Sequence, residues 1–177
     1  MRTEKAFCAA SVIAAILSAG TAHASVVYSG LEFTYEYAGF GDLTLEENQD
    51  RITDNVWITR DLNQGIYNIA VEDSFTGGGN EPPSPTGTLW AFGTTDEIES
   101  LTFLSWGETH NGNPRSMIGQ NTVVYLQEDD IYIDLMFTAW GARTAGGSFS
   151  YVRSVVPAPS SAGLLLVGSL AMTRRRR

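Results

Sequence analysis

His110 is the one histidine between residues 25 and 177, and most general-base and metal chemistry leans on that side chain. It lies between Gly107 and Pro114, where Asn111-Gly112-Asn113 marks a turn. A Ser-His-Asp triad would have to use it, but the chain has no Gly-x-Ser-x-Gly elbow. A solvent-exposed loop histidine is the plainer expectation. Carboxylates are the next chemical resource. Glu108, Glu128, Asp129, Asp130 and Asp134 could supply the acid and the base or nucleophile of a glycoside hydrolase. Acids are so common here that chance pairing is expected. Calcium, a hard cation that takes carboxylate and carbonyl oxygens, has two candidate clusters. One is Asp42 with Glu46, Glu47 and Asp50; the other is Glu128, Asp129 and Asp130. Neither follows the EF-hand loop or the glycine-aspartate nonapeptide, and the second also reads as a solvated hairpin turn.

Aromatic side chains offer a different chemistry. Trp57, Trp90, Trp106 and Trp140, with Tyr132, could stack on sugar faces or fill a core. Trp90, flanked by Leu89 and Phe92, is expected in the core. Trp140 precedes the Gly141 to Gly147 loop and is expected to be the most exposed. Trp106 and Trp140 are therefore the candidate ligand-binding residues.

The elements that must position these residues are strands. Leu31 to Tyr37 alternates apolar with polar residues, the period-2 signature of a strand buried on one face. Ile131 to Phe137 places Ile131, Ile133, Leu135 and Phe137 on one face and Tyr132, Asp134 and Met136 on the other. Further β-rich runs lie at Asn55–Thr59, Gly65–Val71, Thr88–Phe92, Ser100–Trp106, Asn121–Leu126 and Phe149–Val155. Glycine- and proline-rich turns separate them, and no segment between the ends keeps a helical apolar period. The expected fold is all-β: a single β-sandwich or jelly-roll-like domain over residues 25–155, without internal repeats.

Composition narrows the partners. Of 20 acidic and 11 basic residues, Glu4, Arg2, Lys5 and Arg174 to Arg177 belong to the ends. Residues 25–155 thus carry 19 acids against five arginines, a net charge of −14. Nucleic acid and anionic polysaccharide are poor partners for such a surface, whereas divalent cations and neutral glycans stay compatible. The only cysteine is Cys8, so this stretch has no disulfide and no thiolate zinc site.

Both ends read as targeting segments. Residues 1–24 order as Arg2 and Lys5, an apolar run from Ala6 to Ala19, then Ala22-His23-Ala24. That is a secretory signal helix with cleavage expected between Ala24 and Ser25. Residues 156–177 give Val156-Pro157-Ala158-Pro159, an apolar stretch, and Arg174-Arg175-Arg176-Arg177. The run from Ser161 to Thr173 reaches about 20 Å as a helix, short of a bilayer core of about 30 Å. The terminal arginines would remain cytoplasmic. This tail resembles the PEP-CTERM protein-sorting signal, with Ala158 where the namesake Pro-Glu-Pro motif has glutamate. The resemblance implies a Gram-negative bacterium that makes exopolysaccharide and an exosortase-type processing enzyme as partner. It also implies transient inner-membrane anchoring, then delivery to the cell surface or extracellular matrix. Residues 59–154 are similar to an uncharacterised secreted bacterial β-domain, on phrases such as Gly87-Thr88-Leu89-Trp90-Ala91-Phe92-Gly93 and Asp130-Ile131-Tyr132-Ile133-Asp134. No activity follows from that second likeness. The resulting expectation is a non-enzymatic surface or matrix protein without a resident cofactor, structural calcium apart. A secreted carbohydrate-binding module is the alternative, and a hydrolase is less favoured.

Overall fold

Both alternating runs become strands in the computed structural model, which describes residues 25–62, 64–77 and 85–157. The elements are β1 (Val26–Tyr28), β2 (Phe33–Tyr37), β3 (Asp50–Arg51), β4 (Trp57–Arg60), β5 (Ile66–Asn68) and β6 (Thr88–Phe92). They continue with α1 (Trp106–Thr109), β7 (Thr122–Leu126), β8 (Ile131–Trp140) and β9 (Phe149–Arg153). The described chain is predominantly β-sheet, as the alternation predicts. The two expected terminal helices, in 1–24 and 158–177, lie outside the described residues. Among the described residues no helix is long and apolar enough to cross a membrane.

The larger sheet has six strands, five of them antiparallel in the order β2-β9-β8-β7-β6 with β1 added beside β8, and β3-β4-β5 form a second antiparallel sheet. β8 is long enough to serve two partners on one side. Its second half pairs with β9, and its first three residues take β1 in parallel register, Val26 opposite Ile131. One hydrophobic cluster draws side chains from both sheets: Ile58 and Ile66 from the smaller, Tyr35, Trp90, Val124, Ile133, Phe137 and Tyr151 from the larger. Phe137, fully buried, touches the rings of Trp90, Trp140 and Tyr151.

Polar clamps tie the sheets and their connections. Asp50 of β3 accepts two charge-assisted bonds from Arg153 of β9, Nε at 2.7 Å and Nη2 at 2.7 Å, and a third from the Tyr151 hydroxyl at 2.6 Å. On the opposite face of β8, Asp134 accepts from Thr95 N–H at 2.8 Å, Thr95 Oγ1 at 3.0 Å and Gly30 N–H at 3.0 Å. It thereby holds the 3-10 turn Thr95–Ser100 and the β1–β2 connection onto the sheet.

Two expectations change. The run Ser100–Trp106 is not a strand. Only Leu104 bridges to Trp90, and Ser105 then opens α1 through a capping box with Glu108. β8 carries a bulge between Phe137 and Ala139. The extra residue shifts the alternation, so Trp140 turns to the same side as Phe137 instead of outward.

Candidate functional site

The carboxylates expected to do chemistry are already bonded into the fold. Asp50 is 3% exposed and holds Arg153 and Tyr151, so it is no ligand for a solvent-borne cation. Its expected companion Asp42 lies exposed and accepts from Thr44 N–H and Thr44 Oγ1, bonds that lower its pKa. Glu46 pairs with Arg51, and Glu47 is exposed. The first calcium cluster is therefore dispersed. In the second, Asp129 accepts from Thr53 Oγ1 at 2.6 Å and Asn55 Nδ2 at 2.8 Å, Asp130 from Ser25 Oγ and the Tyr125 hydroxyl, and Glu128 is exposed. Among the described residues, no three acidic, histidine or cysteine side chains are placed to hold a metal ion.

The hydrolytic candidates separate likewise. Glu108 is the capping-box partner of Ser105, whose hydroxyl and N–H lower its pKa. Asp134 is the clamp on Thr95. His110 departs from expectation: it caps the C-terminus of α1 and is buried, 6% exposed, with its ring 4.2 Å from that of Trp106. Neither ring nitrogen has a hydrogen-bond partner among the described residues. Burial pushes its pKa down, which keeps the imidazole neutral. With no serine or aspartate bonded to it, His110 forms no triad.

The tryptophans correct the ligand-binding expectation. Trp90 is buried as predicted, but Trp106 is buried too, at 2% exposure. Trp140 is half-buried. Its ring lies under the Arg60 guanidinium, 3.8 Å from ring centroid to Cζ, and packs against Trp106 at 5.5 Å. Arg60 was not foreseen as a key residue. It is 4% exposed, has no carboxylate partner among the described residues, and donates to the carbonyls of Gln64, Gly141, Gly147 and Ser148. Desolvation, with repulsion from Arg115, pulls its pKa down to about 10. Gly147 takes φ +73° at this cage, where a Cβ would stand 2.7 Å from the Asp61 carbonyl oxygen. Tyr132 is half-buried and stacks on Tyr125 at 4.3 Å.

The fourth tryptophan faces open space. Trp57 lines a groove of about 660 Å³ between the β3–β4 turn, the first residues of β8 and the end of the described chain. Arg51 lies over the indole, 4.2 Å from its centroid, and is itself held by Glu46 and Gln49 Oε1. The indole N–H donates to the Thr53 carbonyl, which fixes the ring. Asp54, Asn55 and Asp129 add polar walls, while Ile52 and Ile131 are apolar. Sequence reasoning missed this site, although Thr53-Asp54-Asn55, a polar turn just ahead of Trp57, could have marked it.

No family model, no curated protein and no solved structure matches this chain. Its site must therefore be read from its own geometry. Ser25, the expected new N-terminus, donates its hydroxyl to Asp130 Oδ1 at 2.8 Å. Val156 packs against the core cluster, and Val156 and Pro157 both line the Trp57 groove. Ala22, Ala24, Ala158, Pro159 and Arg174 to Arg177 lie outside the described residues.

Proposed function

We propose that this chain is an exported, non-catalytic protein of the cell surface or extracellular matrix. It is delivered by a signal removed after Ala24 and sorted through a tail similar to the PEP-CTERM signal. An exosortase-type enzyme is its processing partner, membrane contact is transient, and the two sheets over one core form a β-sandwich. The observation that carries this reading is the meeting of the two ends. Tyr28 of β1 and Pro157 border the same groove, and Ser25 is bonded to Asp130, next to the groove residue Asp129. Two targeting segments leaving one face can engage one membrane without crossing the domain. A structural or interaction role is further supported by the carboxylates, since Asp50, Glu108 and Asp134 all serve packing and capping. The charge of residues 25–155 argues against nucleic acid as partner.

The test is the intact mass of the protein recovered from cells and from medium, for the wild type and for a variant with Arg174 to Arg177 replaced by alanine. The expected species begins at Ser25 and ends between residues 157 and 161, and the variant loses that processing. A wild-type species retaining Arg177, or a variant that fractionates and processes unchanged, overturns the sorting reading.

A carbohydrate-binding role is the second reading, favoured by one observation. The tryptophan that borders open space beside unpaired acceptors is Trp57, in place of the expected Trp106 and Trp140.

A further inference from the structure

The groove beside Trp57 has the size of a small-molecule site, and its chemistry is lopsided. Asp54 is exposed, and its carboxylate accepts no hydrogen bond from the described residues. Asn55 donates its amide to Asp129, which leaves the Asn55 side-chain carbonyl without a donor. Asp129 has one donor on each oxygen and further lone pairs beyond them. Among the described residues the one cation at the groove is Arg51, which is occupied by Glu46, Gln49 and the Trp57 ring. The surface is thus rich in acceptors and negative, and lacks an uncommitted donor of charge. A ligand that fits it must donate several hydrogen bonds at once and carry no negative charge. It must also present an apolar patch to the indole and to Ile52 and Ile131.

A pyranose meets all three demands, with hydroxyl donors around its rim and C–H bonds on its face. We propose that this groove binds a neutral polysaccharide, with Trp57 as the platform and Asp54, Asn55 and Asp129 as acceptors of its hydroxyls. Uronic acids and sulfated sugars are rejected by Glu46, Asp54 and Asp129, which line the same space. This rests on the reading of the chain as an interaction protein, and the intact mass of the cell-made protein reads its sorting independently.

The experiment is affinity electrophoresis of the full chain in mild detergent, through gels containing one polymer each. Galactomannan, hydroxyethylcellulose and dextran are the neutral probes; polygalacturonate is the anionic probe and chitosan the cationic one. At least one neutral polymer should retard the protein, and polygalacturonate should not. Trp57→Ala and Asp54→Ala should each weaken the retardation about tenfold or more, as truncation of a central contact does. Asp42→Asn, an exposed acid outside the groove, should leave it unchanged. If Trp57→Ala does not fold, Asp54→Ala and Trp57→Phe carry the test, because the Asp54 carboxylate accepts no hydrogen bond from the described residues. Absence of retardation by every neutral polymer, retardation by chitosan alone, or neutral binding that survives both alanine variants each overturns the proposal.

Discussion

Asp50→Asn should be among the most damaging single-atom-scale changes in this protein. Asp50 and Arg153 are 3% and 6% exposed, they belong to different sheets, and three bonds of 2.6–2.7 Å converge on the carboxylate. Asparagine keeps the shape but offers one acceptor oxygen to three donors. It also leaves the Arg153 guanidinium buried without a counter-charge. Removing one partner of a buried pair costs about 3–5 kcal/mol. With a urea m-value of about 1–3 kcal/mol/M, the unfolding midpoint should fall by roughly 2 M. The assay is equilibrium urea unfolding followed by tryptophan fluorescence, with Asp42→Asn as an exposed control expected within about 0.5 kcal/mol of wild type. The double variant Asp50→Leu with Arg153→Met separates the charge from the packing. It removes both charges and should recover part of the loss, because a buried ion pair adds little over an apolar pair of like volume, while the Tyr151 hydroxyl and the Ser154 carbonyl stay buried without their partners. The reasoning fails if Asp50→Asn shifts the midpoint by less than about 0.5 M, or if the double variant is as unstable as the single one.

Two further outcomes follow from the buried polar groups. The His110 pKa is lowered by burial, so the fold favours the neutral ring, and this contribution is fully present above the unfolded value near 6.5. It is lost as pH falls through that value toward the folded one, with a slope of at most about 1.4 kcal/mol per pH unit. His110→Phe should flatten the melting temperature between pH 7 and pH 5 and cost little at pH 7, since neither nitrogen loses a partner; an undiminished acid slope would refute this. Arg60→Lys should free the carbonyls of Gly141, Gly147 and Ser148 that the guanidinium gathers, at a cost of about 2–4 kcal/mol. Hydrogen exchange should then quicken across residues 141–148, and unchanged protection there would show that the loop holds itself.

Much of the larger sheet was legible because its strands keep a strict period. Thr88–Phe92 is the strand expected, and the alternation of Ile131–Phe137 assigns both faces of β8 correctly. Trp140 was misread because a bulge depends on how β9 pairs with β8, and no residue near Phe137 announces it. His110 was misread as exposed, although Ser105-x-x-Glu108 already carries a capping-box pattern that could have placed a helical turn at Trp106. The Asp50–Arg153 pair joins residues 103 positions apart, and the groove joins Tyr28, Trp57, Asp129 and Pro157. Local periodicity holds no information about either. The two calcium clusters rested on oxygen ligands close in sequence, but Asp42 lies on an exposed loop while Asp50 opens β3 with its side chain in the core.

The acidic residues of this domain divide by what they accept, and the division bears on where a ligand would meet it. Asp50, Asp134, Asp129 and Asp130 each tie segments far apart in the chain: 103, 39, 76 and 105 positions for Arg153, Thr95, Thr53 and Ser25. With no cysteine after Cys8, these clamps take the topological place that disulfides hold in many small β-domains. A carboxylate in such a clamp cannot turn toward a ligand without releasing a strand or a turn, so selection for binding has to act on acids outside them. Asp54 is such an acid, and it stands at the groove bordered by Trp57 and both ends of the domain. A substitution that abolishes binding yet leaves the urea midpoint in place should therefore be found at Asp54, whereas one at Asp129, shared by clamp and groove, should move both.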